Sequence, residues 1–368
     1  VIVYAYNSNN QFTNVLAGTY NIYVRDANGC IDTKPITIDS AVAPTLALAT
    51  SDFCYDSTDQ ASLTIDITDG VAPYSYSING GGQNSVVGNQ FTVPNLTPNT
   101  YNIIVTDAFG CTSNTITETI EPQLTANAVL TQDLLCTGNA IIDVTIANGY
   151  IPYATYQVQV DGGGYGAITP IVGNSFTYNG AAVAGTYQFL ITDARNCTIE
   201  TNEVIVTDAL PATSTPIITH VTCNGDTNGI VDLNISGGSA PYSIVFDGSA
   251  PSTQEIYTDL AAGSYNYGIT DSKGCVTTGT AVVNEPNALI LTTGITTDYD
   301  CTSGAATISV TNVNGGTGPF EYSIDGVNFD GTTAFTGLLD GTYTITVRDA
   351  NLCIATSTQV IDPLNEPT

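Results

Sequence analysis

The sequence is built from short stretches in which apolar and polar residues alternate, separated by turns rich in Gly, Asn and Pro. Leu63, Ile65 and Ile67 alternate with threonine and aspartate, and the alternation resumes at Tyr74 after Pro73. Alternation with a period of two is typical of β-strands that bury one face. The pattern therefore predicts an all-β chain whose strands are short and end in tight turns.

One stretch of this pattern occurs five times: an apolar residue, a Gly or Asn turn, Tyr, an alternating strand, Asp and then Cys. The tyrosines of the five copies are Tyr20, Tyr101, Tyr187, Tyr265 and Tyr343. Their regular spacing of roughly 80 residues indicates tandem modules. Because Val1–Tyr6 aligns with Tyr74–Ile78, we expect the chain to begin inside a module. The predicted divisions are a partial module at 1–43, whole modules at 44–122, 123–210, 211–286 and 287–363, and the start of a next module or a linker at 364–368.

Six or seven short strands per module, with turn signals between them, predict an immunoglobulin-like β-sandwich. The spacing from Leu96 to Tyr101 fits a tyrosine corner, in which the ring fills the core and the hydroxyl bonds upstream backbone. We predict this structural role for all five repeated tyrosines, with a ligand platform as the alternative. Links of one to three residues that contain proline join the modules, so we expect an elongated, semi-rigid rod.

The net negative charge of the chain limits the classes of molecule that it is expected to bind. The chain has 34 Asp+Glu against 5 Lys+Arg, a formal net charge of −29. This balance disfavours nucleic acids and anionic membranes, because binding to both depends on Lys and Arg. It permits divalent cations. No apolar run is long enough for a membrane-spanning helix, so we expect no direct membrane insertion.

Nine cysteines occupy fixed places in the repeat, which argues for an oxidising, extracellular compartment. The front cysteines end the predicted first strand of each whole module: Cys54, Cys136, Cys223 and Cys301. The turn cysteines follow the repeated Asp: Cys30, Cys111, Cys197, Cys275 and Cys353. The absence of any Cys-x-x-Cys argues against metal binding by these cysteines.

Two disulfide schemes fit these positions. One cysteine of each kind per module favours pairing within modules, as Cys54–Cys111, Cys136–Cys197, Cys223–Cys275 and Cys301–Cys353, with Cys30 unpaired. An immunoglobulin topology argues against this pairing within modules, because it puts the first turn and the last hairpin at opposite ends of a module. The alternative joins each module to its successor, as Cys54–Cys197, Cys136–Cys275 and Cys223–Cys353.

The repeated aspartates are Asp26, Asp107, Asp193, Asp271 and Asp349. Each ends an alternating strand and precedes a tight turn, where an Asp side chain can accept backbone N–H groups and fix the turn. The functional alternative is a Ca²⁺ ligand at a module junction, since carboxylates are hard oxygen donors. Further donors for such a site would be Asp52, Asp56, Asp59, Asp298 and Asp300. No EF-hand spacing or nonapeptide calcium repeat is present, and we expect no obligatory cofactor.

The repeated motif resembles the SprB-type repeat. The resemblance lies in Pro-Tyr-x-x-x-Ile-Asp-Gly followed by Leu-x-x-Gly-Thr-Tyr-x-Ile-x-Val-x-Asp-Ala-Asn-x-Cys. It implies an immunoglobulin-like sandwich and a filamentous, adhesive role in large surface adhesins of Bacteroidetes, including gliding bacteria. The family has no catalytic residues to carry over. The chain departs from the motif at Asn99, Ser264, Asn196 and Leu352.

These observations favour a binding or structural role over catalysis. His220 is the only histidine and stands beside Val221 in a predicted strand, so we expect a structural or exposed role for it and no enzyme. The favoured function is a structural and adhesive stalk, whose partners are neighbouring modules of the same long chain or filament. The alternative is a glycan-binding array using the loops after Gly80, Gly162 and Gly248, although the chain has no Trp to stack on sugars. A third reading is an accessory domain of a secreted hydrolase.

Overall fold

The computed structural model describes residues 11–364. The secondary structure described in this range consists of β-strands in antiparallel sheets, and the predicted all-β, immunoglobulin-like fold is confirmed. The strand expected at Val1–Tyr6 and the end of the segment predicted at 364–368 lie outside the described residues. No helix within residues 11–364 could cross a membrane.

The first predicted module is represented by an antiparallel hairpin. Its strands β1 (Gly18–Arg25) and β2 (Ile31–Ile38) pair along their whole length. Val24 of β1 is exposed, whereas Val105, its counterpart in the next module, is fully buried. Two strands without a facing sheet cannot enclose an apolar face, so the described part of this module has no core.

The second predicted module is a complete sandwich. Its strands are β3 (Thr45–Leu48), β4 (Ala61–Thr68), β5 (Tyr74–Ile78), β6 (Asn84–Val86), β7 (Gln90–Leu96), β8 (Asn99–Thr106) and β9 (Ile116–Ile120). They form an antiparallel sheet in the order β3-β4-β7 and a second in the order β6-β5-β8-β9. This arrangement is typical of immunoglobulin-like sandwiches.

The core of this module follows directly from the alternation. Leu63 and Ile65 of β4 are fully buried in one cluster with Ile103 and Val105 of β8. Residues between them in the sequence, such as Thr64, face outward and are partly exposed. Because successive strand side chains point to opposite faces, one apolar face from each sheet supplies the core.

The third predicted module repeats this plan. Its strands are β10 (Thr125–Gln132), β11 (Ala140–Ala147), β12 (Thr155–Val160), β13 (Thr169–Pro170), β14 (Ser175–Ala181), β15 (Gly185–Thr192), β16 (Thr198–Glu200) and β17 (Val204–Val206). The sheets run β10-β11-β14 and β13-β12-β15-β16, and β17 also pairs with β15. The final strand is therefore divided in two.

The fourth predicted module has interrupted outer strands. Its strands are β18 (Ala212–Ser214), β19 (Ile217–Thr219), β20 (Gly229–Asp232), β21 (Ile235–Gly237), β22 (Ser243–Phe246), β23 (Ile256–Leu260), β24 (Gly263–Thr270) and β25 (Val276–Val283). The sheets run β18-β21, β19-β20-β23 and β22-β24-β25. Pro216 stands between β18 and β19, and a proline cannot donate to a ladder.

The fifth predicted module returns to two sheets. Its strands are β26 (Ile290–Thr297), β27 (Ala306–Asn314), β28 (Glu321–Ser323), β29 (Ala334–Leu338), β30 (Gly341–Arg348) and β31 (Ile354–Ile361). The sheets run β26-β27-β29 and β28-β30-β31. None of the strand pairings in residues 11–364 crosses a predicted module boundary.

The chain divides into two compact units that do not coincide with single modules. One comprises the chain up to Asp133 together with Ala140–Val206. The other comprises Leu134–Asn139 and the chain from Thr207 onward. The short segment Leu134–Asn139 follows β10 in sequence but belongs to the second unit.

Four of the five repeated tyrosines form the hydroxyl bond of a tyrosine corner. Each hydroxyl donates to the carbonyl oxygen four residues upstream, at 2.7–2.9 Å, for Tyr20, Tyr101, Tyr187 and Tyr265. In the described part of the chain, the hydroxyl of Tyr343 makes no such bond. Tyr187 alone is fully buried, and burial raises the pKa of its phenol, so the hydroxyl stays protonated and donates.

We expect Tyr187→Phe to lower the free energy of unfolding of the third module by about 1 kcal/mol, the net value of one hydrogen bond. The ring keeps its packing, so only the bond to the Val183 carbonyl is lost. Denaturant unfolding measured module by module with hydrogen exchange checks this. Tyr343→Phe is the control and should change nothing; an equal effect of the two would contradict the role of the hydroxyl.

Candidate functional site

The repeated Asp and the cysteine four residues later bound a five-residue segment, here called the Asp turn. The five Asp turns are residues 26–30, 107–111, 193–197, 271–275 and 349–353. In each, the Asp Oδ1 accepts the backbone N–H of the third residue and of the cysteine, at 2.8–3.0 Å. The carboxylate thus positions the backbone of the turn cysteine.

The other carboxylate oxygen ties the Asp turn to a second loop. Asp193 Oδ2 accepts the N–H of Tyr150 at 2.9 Å, and Ala194 N–H donates back to the Tyr150 carbonyl. The same bond reaches Val71, Ser239 and Thr317 in the other whole modules. Gly149 leaves room for it, because a Cβ there would stand 2.9 Å from Asp193 Oδ2. Two loops at one end of each sandwich are therefore locked together.

The fourth residue of every Asp turn has a left-handed backbone. It is Gly29, Gly110, Asn196, Gly274 or Leu352, with φ between 67° and 86°. Glycine adopts this region without penalty and asparagine tolerates it, whereas leucine is strained by about 1–2 kcal/mol. The motif departure noticed at Leu352 is thus a point of local strain.

We expect Leu352→Gly to raise the free energy of unfolding of the fifth module by about 0.5–1 kcal/mol, since relief of strain exceeds the entropy that glycine adds to the unfolded chain. Leu352 is largely exposed, so little packing is lost. Leu352→Ala is the matched control, because it removes the side chain but keeps Cβ. Equal gains from the two variants in a calorimetric comparison would show that backbone strain is not the cause.

The disulfides follow the alternative pairing, and the favoured pairing within modules is wrong. The bonds are Cys54–Cys197, Cys136–Cys275 and Cys223–Cys353, with Cα–Cα distances of 5.2, 5.1 and 5.6 Å. Each joins a front cysteine to the turn cysteine of the next predicted module. Cys111 and Cys301, which the favoured scheme also paired, are not in disulfides, and neither is Cys30.

Strand order explains this outcome. The front cysteine Cys54 lies in the connection after β3, and the turn cysteine Cys111 lies in the connection after β8. In an immunoglobulin-like sandwich these two connections are at opposite ends. The bond from Val71, in the β4–β5 connection, to Asp107 places the Asp turn at the end where the loops after β4 and β8 meet. A bond within one module would have to span its length, far more than a disulfide allows.

Arg195 packs against the residue that precedes Cys54 of the first disulfide. Its guanidinium carbon lies 3.9 Å from the ring centre of Phe53, the residue before Cys54, and 5.8 Å from that of Tyr150. It also forms a salt bridge of 3.2 Å with Glu118. Such cation–π contacts are strongest where water is partly excluded. Arg195 therefore joins the Asp turn of one module to the preceding module beside their disulfide.

Tyr150 completes this contact. Its hydroxyl lies 3.3 Å from the Phe53 carbonyl and 3.1 Å from the Thr119 carbonyl, to which it can donate, and it accepts the Glu121 N–H at 3.2 Å. Burial raises the pKa of Tyr150, so the phenol remains a donor through the neutral range. Tyr150 thus links the two modules, because its hydroxyl bonds residues of the second module and its N–H bonds Asp193 of the third.

The second disulfide has a similar arrangement within the second unit. Lys273, at the position of Arg195, donates through Nζ to the Thr207 and Asp208 carbonyls at 3.0 and 2.8 Å and to Thr207 Oγ1 at 2.6 Å. The Cys136 N–H donates to the Lys273 carbonyl at 3.1 Å. At the third disulfide the turn after Cys223 is held instead by Asn224 and Gly225, which donate to Pro286 and Glu285.

We expect Arg195→Met to lower the free energy of unfolding of the joined second and third modules by about 1–2 kcal/mol, from loss of the cation–π contact and an exposed ion pair. A double-mutant cycle with Phe53→Leu should give a coupling energy of about 0.5–1 kcal/mol. Arg348→Met is the control, because Arg348 stacks on Phe329 inside the fifth module. Strict additivity of Arg195→Met and Phe53→Leu would contradict the contact.

The carboxylates proposed as calcium ligands are occupied by backbone donors. Asp107, Asp193, Asp271 and Asp349 are buried, whereas Asp26 is exposed. Among the further donors, Asp56 and Asp300 accept the N–H and hydroxyl of the threonine two residues on. The hydroxyl bonds from Thr58 and Thr302 lower the pKa of both carboxyls. Residues 11–364 contain no group of three or more His, Cys, Asp or Glu able to hold a metal ion.

His220 has a structural contact. Its Nδ1 accepts the N–H of Asn284 at 3.0 Å, which joins the start of the fourth module to the end of β25. The residues that sequence reasoning missed are Tyr150, Arg195 and Lys273. The signal available for two of them was the placement of rare basic residues in Asp turns, in a chain with only 5 Lys+Arg.

Comparison with known proteins gives one family match. The SprB repeat matches residues 215–250, which run from before β19 to the turn after β22 and include Cys223 and Pro241-Tyr242. The Asp turn at 271–275 lies beyond the matched segment. No curated protein matches the chain.

Several solved structures of tandem immunoglobulin domains are similar at low identity. The N-terminal eight Ig domains of Down Syndrome Cell Adhesion Molecule isoform 1.30.30 are 13% identical, with a TM-score of 0.26 over 94% of this chain. This chain spans 51% of that structure's length. Drosophila OTK extracellular domains 3–5 are 12% identical, with a TM-score of 0.19 over 65% of this chain and 97% of that one. Sidekick-1 immunoglobulin domains 1–4 are 12% identical, with a TM-score of 0.19 over 83% and 94%.

Scores this low support no conclusion about function. The family match stands on sequence alone and falls on the fourth predicted module. The resemblance that the repeated motifs indicated is confirmed in that module, because the SprB repeat matches residues 215–250 of this chain.

Proposed function

We propose that this chain is a structural stalk segment of an extracellular, adhesive repeat protein. The SprB repeat match supports a repeat protein of this kind, and cysteines at repeated positions support an oxidising, extracellular location. The observation that carries the proposal is the pairing of front cysteines with turn cysteines of the following module. Disulfides that only supported single modules would not need this pattern.

The three disulfides enclose overlapping loops. They span residues 54–197, 136–275 and 223–353, so every residue from 54 to 353 lies inside at least one covalent loop. A force applied along the chain is therefore carried by disulfides past most of the modules. Even if a module unfolds, its residues inside a closed loop cannot be fully extended. This property suits a stalk that holds a surface or a binding tip under load.

Single-molecule pulling between the two ends tests this role. The shortest covalent path runs to Cys54, across to Cys197, along to Cys223, across to Cys353 and on to the end. That path contains roughly 95 residues, so the oxidised chain should extend to about 30 nm, and the fully reduced chain to about 120 nm. Cys223→Ser opens the third loop and should give an intermediate extension of about 70 nm, because the path then runs through the Cys136–Cys275 bond.

The pulling result has a clear contrary outcome. An oxidised chain that extends to about 120 nm would show that the disulfides do not carry the load, and the stalk proposal would lose its main support. The reduced chain serves as the internal control for handle attachment and chain length. The comparison depends only on covalent connectivity.

The adhesive part of the proposal concerns the ligand. The glycan-binding alternative stays a prediction, with the loops after Gly80, Gly162 and Gly248 as its surfaces. A glycan array probed with the oxidised chain separates the two: no binding favours the stalk, and saturable binding lost on substitution of one loop favours the array. We also propose that the chain is not an enzyme. The third alternative, an accessory domain of a secreted hydrolase, would be supported if the chain increased the turnover of a polymer by an attached catalytic domain.

A further inference from the structure

The three disulfides differ in the exposure of their front cysteines. Cys136, in the middle disulfide, is exposed, whereas Cys54 and Cys223 are half-buried. The turn cysteines are buried in all three bonds, and Cys275, the partner of Cys136, is only 2% exposed. An external thiolate opens a disulfide by attacking one of its two sulfurs, so access to a sulfur limits the reaction. Among the bonded cysteines, Cys136 is therefore the most accessible point of attack.

The turns next to the other two front cysteines are held by side chains. Arg195 stacks on Phe53, the residue before the first front cysteine. The side chain of Asn224, the residue after the third front cysteine, donates to the Pro286 carbonyl at 3.1 Å. Both contacts restrict the motion that would bring a half-buried sulfur to the surface. Reduction of the first and third disulfides should therefore require local opening.

The turn that carries Cys136 is positioned without being covered. The Cys136 N–H donates to the Lys273 carbonyl at 3.1 Å, and Cys136 Sγ lies 3.4 Å from the Ala209 carbonyl oxygen. Both partners belong to the second compact unit, as does Cys275. These contacts fix the place of the cysteine but leave it exposed. A thiol can therefore approach Cys136 in the folded protein.

The middle disulfide also differs from the others in what it connects. The first disulfide lies within the first compact unit, and the third lies within the second. The middle disulfide holds Leu134–Asn139 in the second unit, although the strands on either side of this segment, β10 and β11, belong to the first. Among the disulfides of residues 11–364, it alone has a front cysteine in such a segment.

We propose that Cys136–Cys275 is a redox switch, which small thiols open by attack on Cys136 while the other two disulfides stay closed. Disulfides with an exposed sulfur are typically the labile and regulatory ones. Opening removes the covalent bond that holds residues 134–139 in the second unit. Only the peptide chain then ties β10 and β11 to that unit. The switch depends on exposure and covalent connectivity, and it does not depend on the stalk role.

Opening of the bond consumes two thiols. The first thiolate attacks Cys136 Sγ, the S–S bond breaks, and Cys275 leaves as a thiolate and takes up a proton. The second thiolate attacks the external sulfur of the mixed disulfide and releases the Cys136 thiolate, which is then protonated. Two electrons and two protons pass from the thiols to the protein, and the two thiols leave as one disulfide. Because Cys275 is buried, the mixed disulfide should form on Cys136.

The test uses the 368-residue chain with its three disulfides formed and with Cys30, Cys111 and Cys301 alkylated beforehand. Reduced glutathione is added in excess without denaturant, new thiols are trapped with a second alkylating reagent, and the labelled positions are mapped by mass spectrometry. We expect Cys136 and Cys275 to be labelled on the order of tenfold faster than the other bonded cysteines. The intermediate glutathione adduct should map to Cys136.

Dilute urea distinguishes direct attack from attack after local opening. An exposed sulfur needs no opening, so the rate at the middle disulfide should be unchanged by urea well below the unfolding transition. Reduction of a covered disulfide passes through opened states, so the rates at the first and third disulfides should rise. Asn224→Ala should speed reduction of the third disulfide in the same way, with the middle disulfide of the same chain as its internal control.

Selective opening should leave the modules folded. Hydrogen exchange should become faster in residues 134–139 and stay slow in β10 and β11. Equal rates at the three disulfides, a middle disulfide that is reduced last, an adduct on Cys275, or unchanged exchange in residues 134–139 would each overturn the proposal. Pulling tests the stalk separately, because its shortest covalent path crosses the first and third disulfides and keeps its length when the middle one opens.

Discussion

Cys54→Ser is expected to lower the stability of the second and third modules together and to leave the fifth unchanged. The bond that it removes closes a sequence separation of 143 residues. In the chain-entropy model a loop of that length contributes about 5 kcal/mol, and measured disulfides usually contribute about 2–4 kcal/mol. Losing about 2 kcal/mol lowers the melting temperature of a domain of this size by about 10 °C. The variant should also expose one new thiol, that of Cys197.

Cys111→Ser is the matched control for this experiment. The favoured pairing within modules would make Cys54 and Cys111 partners, so both substitutions would have equal effects. In the structure Cys111 has no disulfide, and its substitution should change stability by less than about 0.5 kcal/mol. Hydrogen exchange resolved by module, with thiol counting by mass spectrometry, measures both effects. Comparable destabilisation by the two variants, or a new thiol at Cys111 in Cys54→Ser, would contradict the observed connectivity.

The fold could be predicted because the strand pattern is local. Leu63, Ile65 and Ile67 are one face of β4, and the period-two alternation identifies that face without knowledge of the rest of the chain. The repeated motif then strengthens the prediction, because the strand and turn pattern of one copy recurs in the other four. The interruption between β18 and β19 was not predicted, although Pro216 marks its place.

The role of the aspartate in fixing the Asp turn could also be predicted from the sequence. An Asp before a tight turn has backbone donors within reach of its side chain, and the structure shows two of them at every copy. The third donor, at Tyr150 in the third module, comes from 43 residues upstream. No local pattern indicates that contact, because it depends on how two loops meet at the end of a sandwich.

The disulfide pairing could not be decided by counting cysteines. One front cysteine and one turn cysteine per module satisfy both schemes equally, and only three-dimensional placement separates them. The immunoglobulin-like strand order correctly argued against pairing within a module, because the connections after β3 and β8 are at opposite ends of the sandwich. The distance between the two ends of a module is therefore a stronger argument about disulfide pairing than the count of one front and one turn cysteine per module.

Asp193→Ala is expected to have the largest effect of any single substitution in an Asp turn. The carboxylate is 1% exposed and accepts three backbone N–H groups, from Tyr150, Arg195 and Cys197. An unsatisfied buried donor costs about 1–3 kcal/mol, so loss of all three bonds should lower the free energy of unfolding by on the order of 3–6 kcal/mol. A domain of this size is stable by only about 5 kcal/mol. The third module should therefore be largely unfolded or close to it.

The matched control is Asp26→Ala, which removes the same motif residue from an exposed turn in the hairpin β1–β2. There water can replace the lost acceptor, so we expect a change below about 0.5 kcal/mol. Asp193→Asn keeps one acceptor oxygen but points an amide donor at the remaining N–H, so its effect should be intermediate. Because Asp193 also holds the backbone of Cys197, the Cys54–Cys197 bond should be reduced more readily in Asp193→Ala by a thiol buffer. Equal protection of the third module in Asp193→Ala and the unmodified chain, measured by hydrogen exchange under native conditions, would show that the carboxylate does not hold the turn.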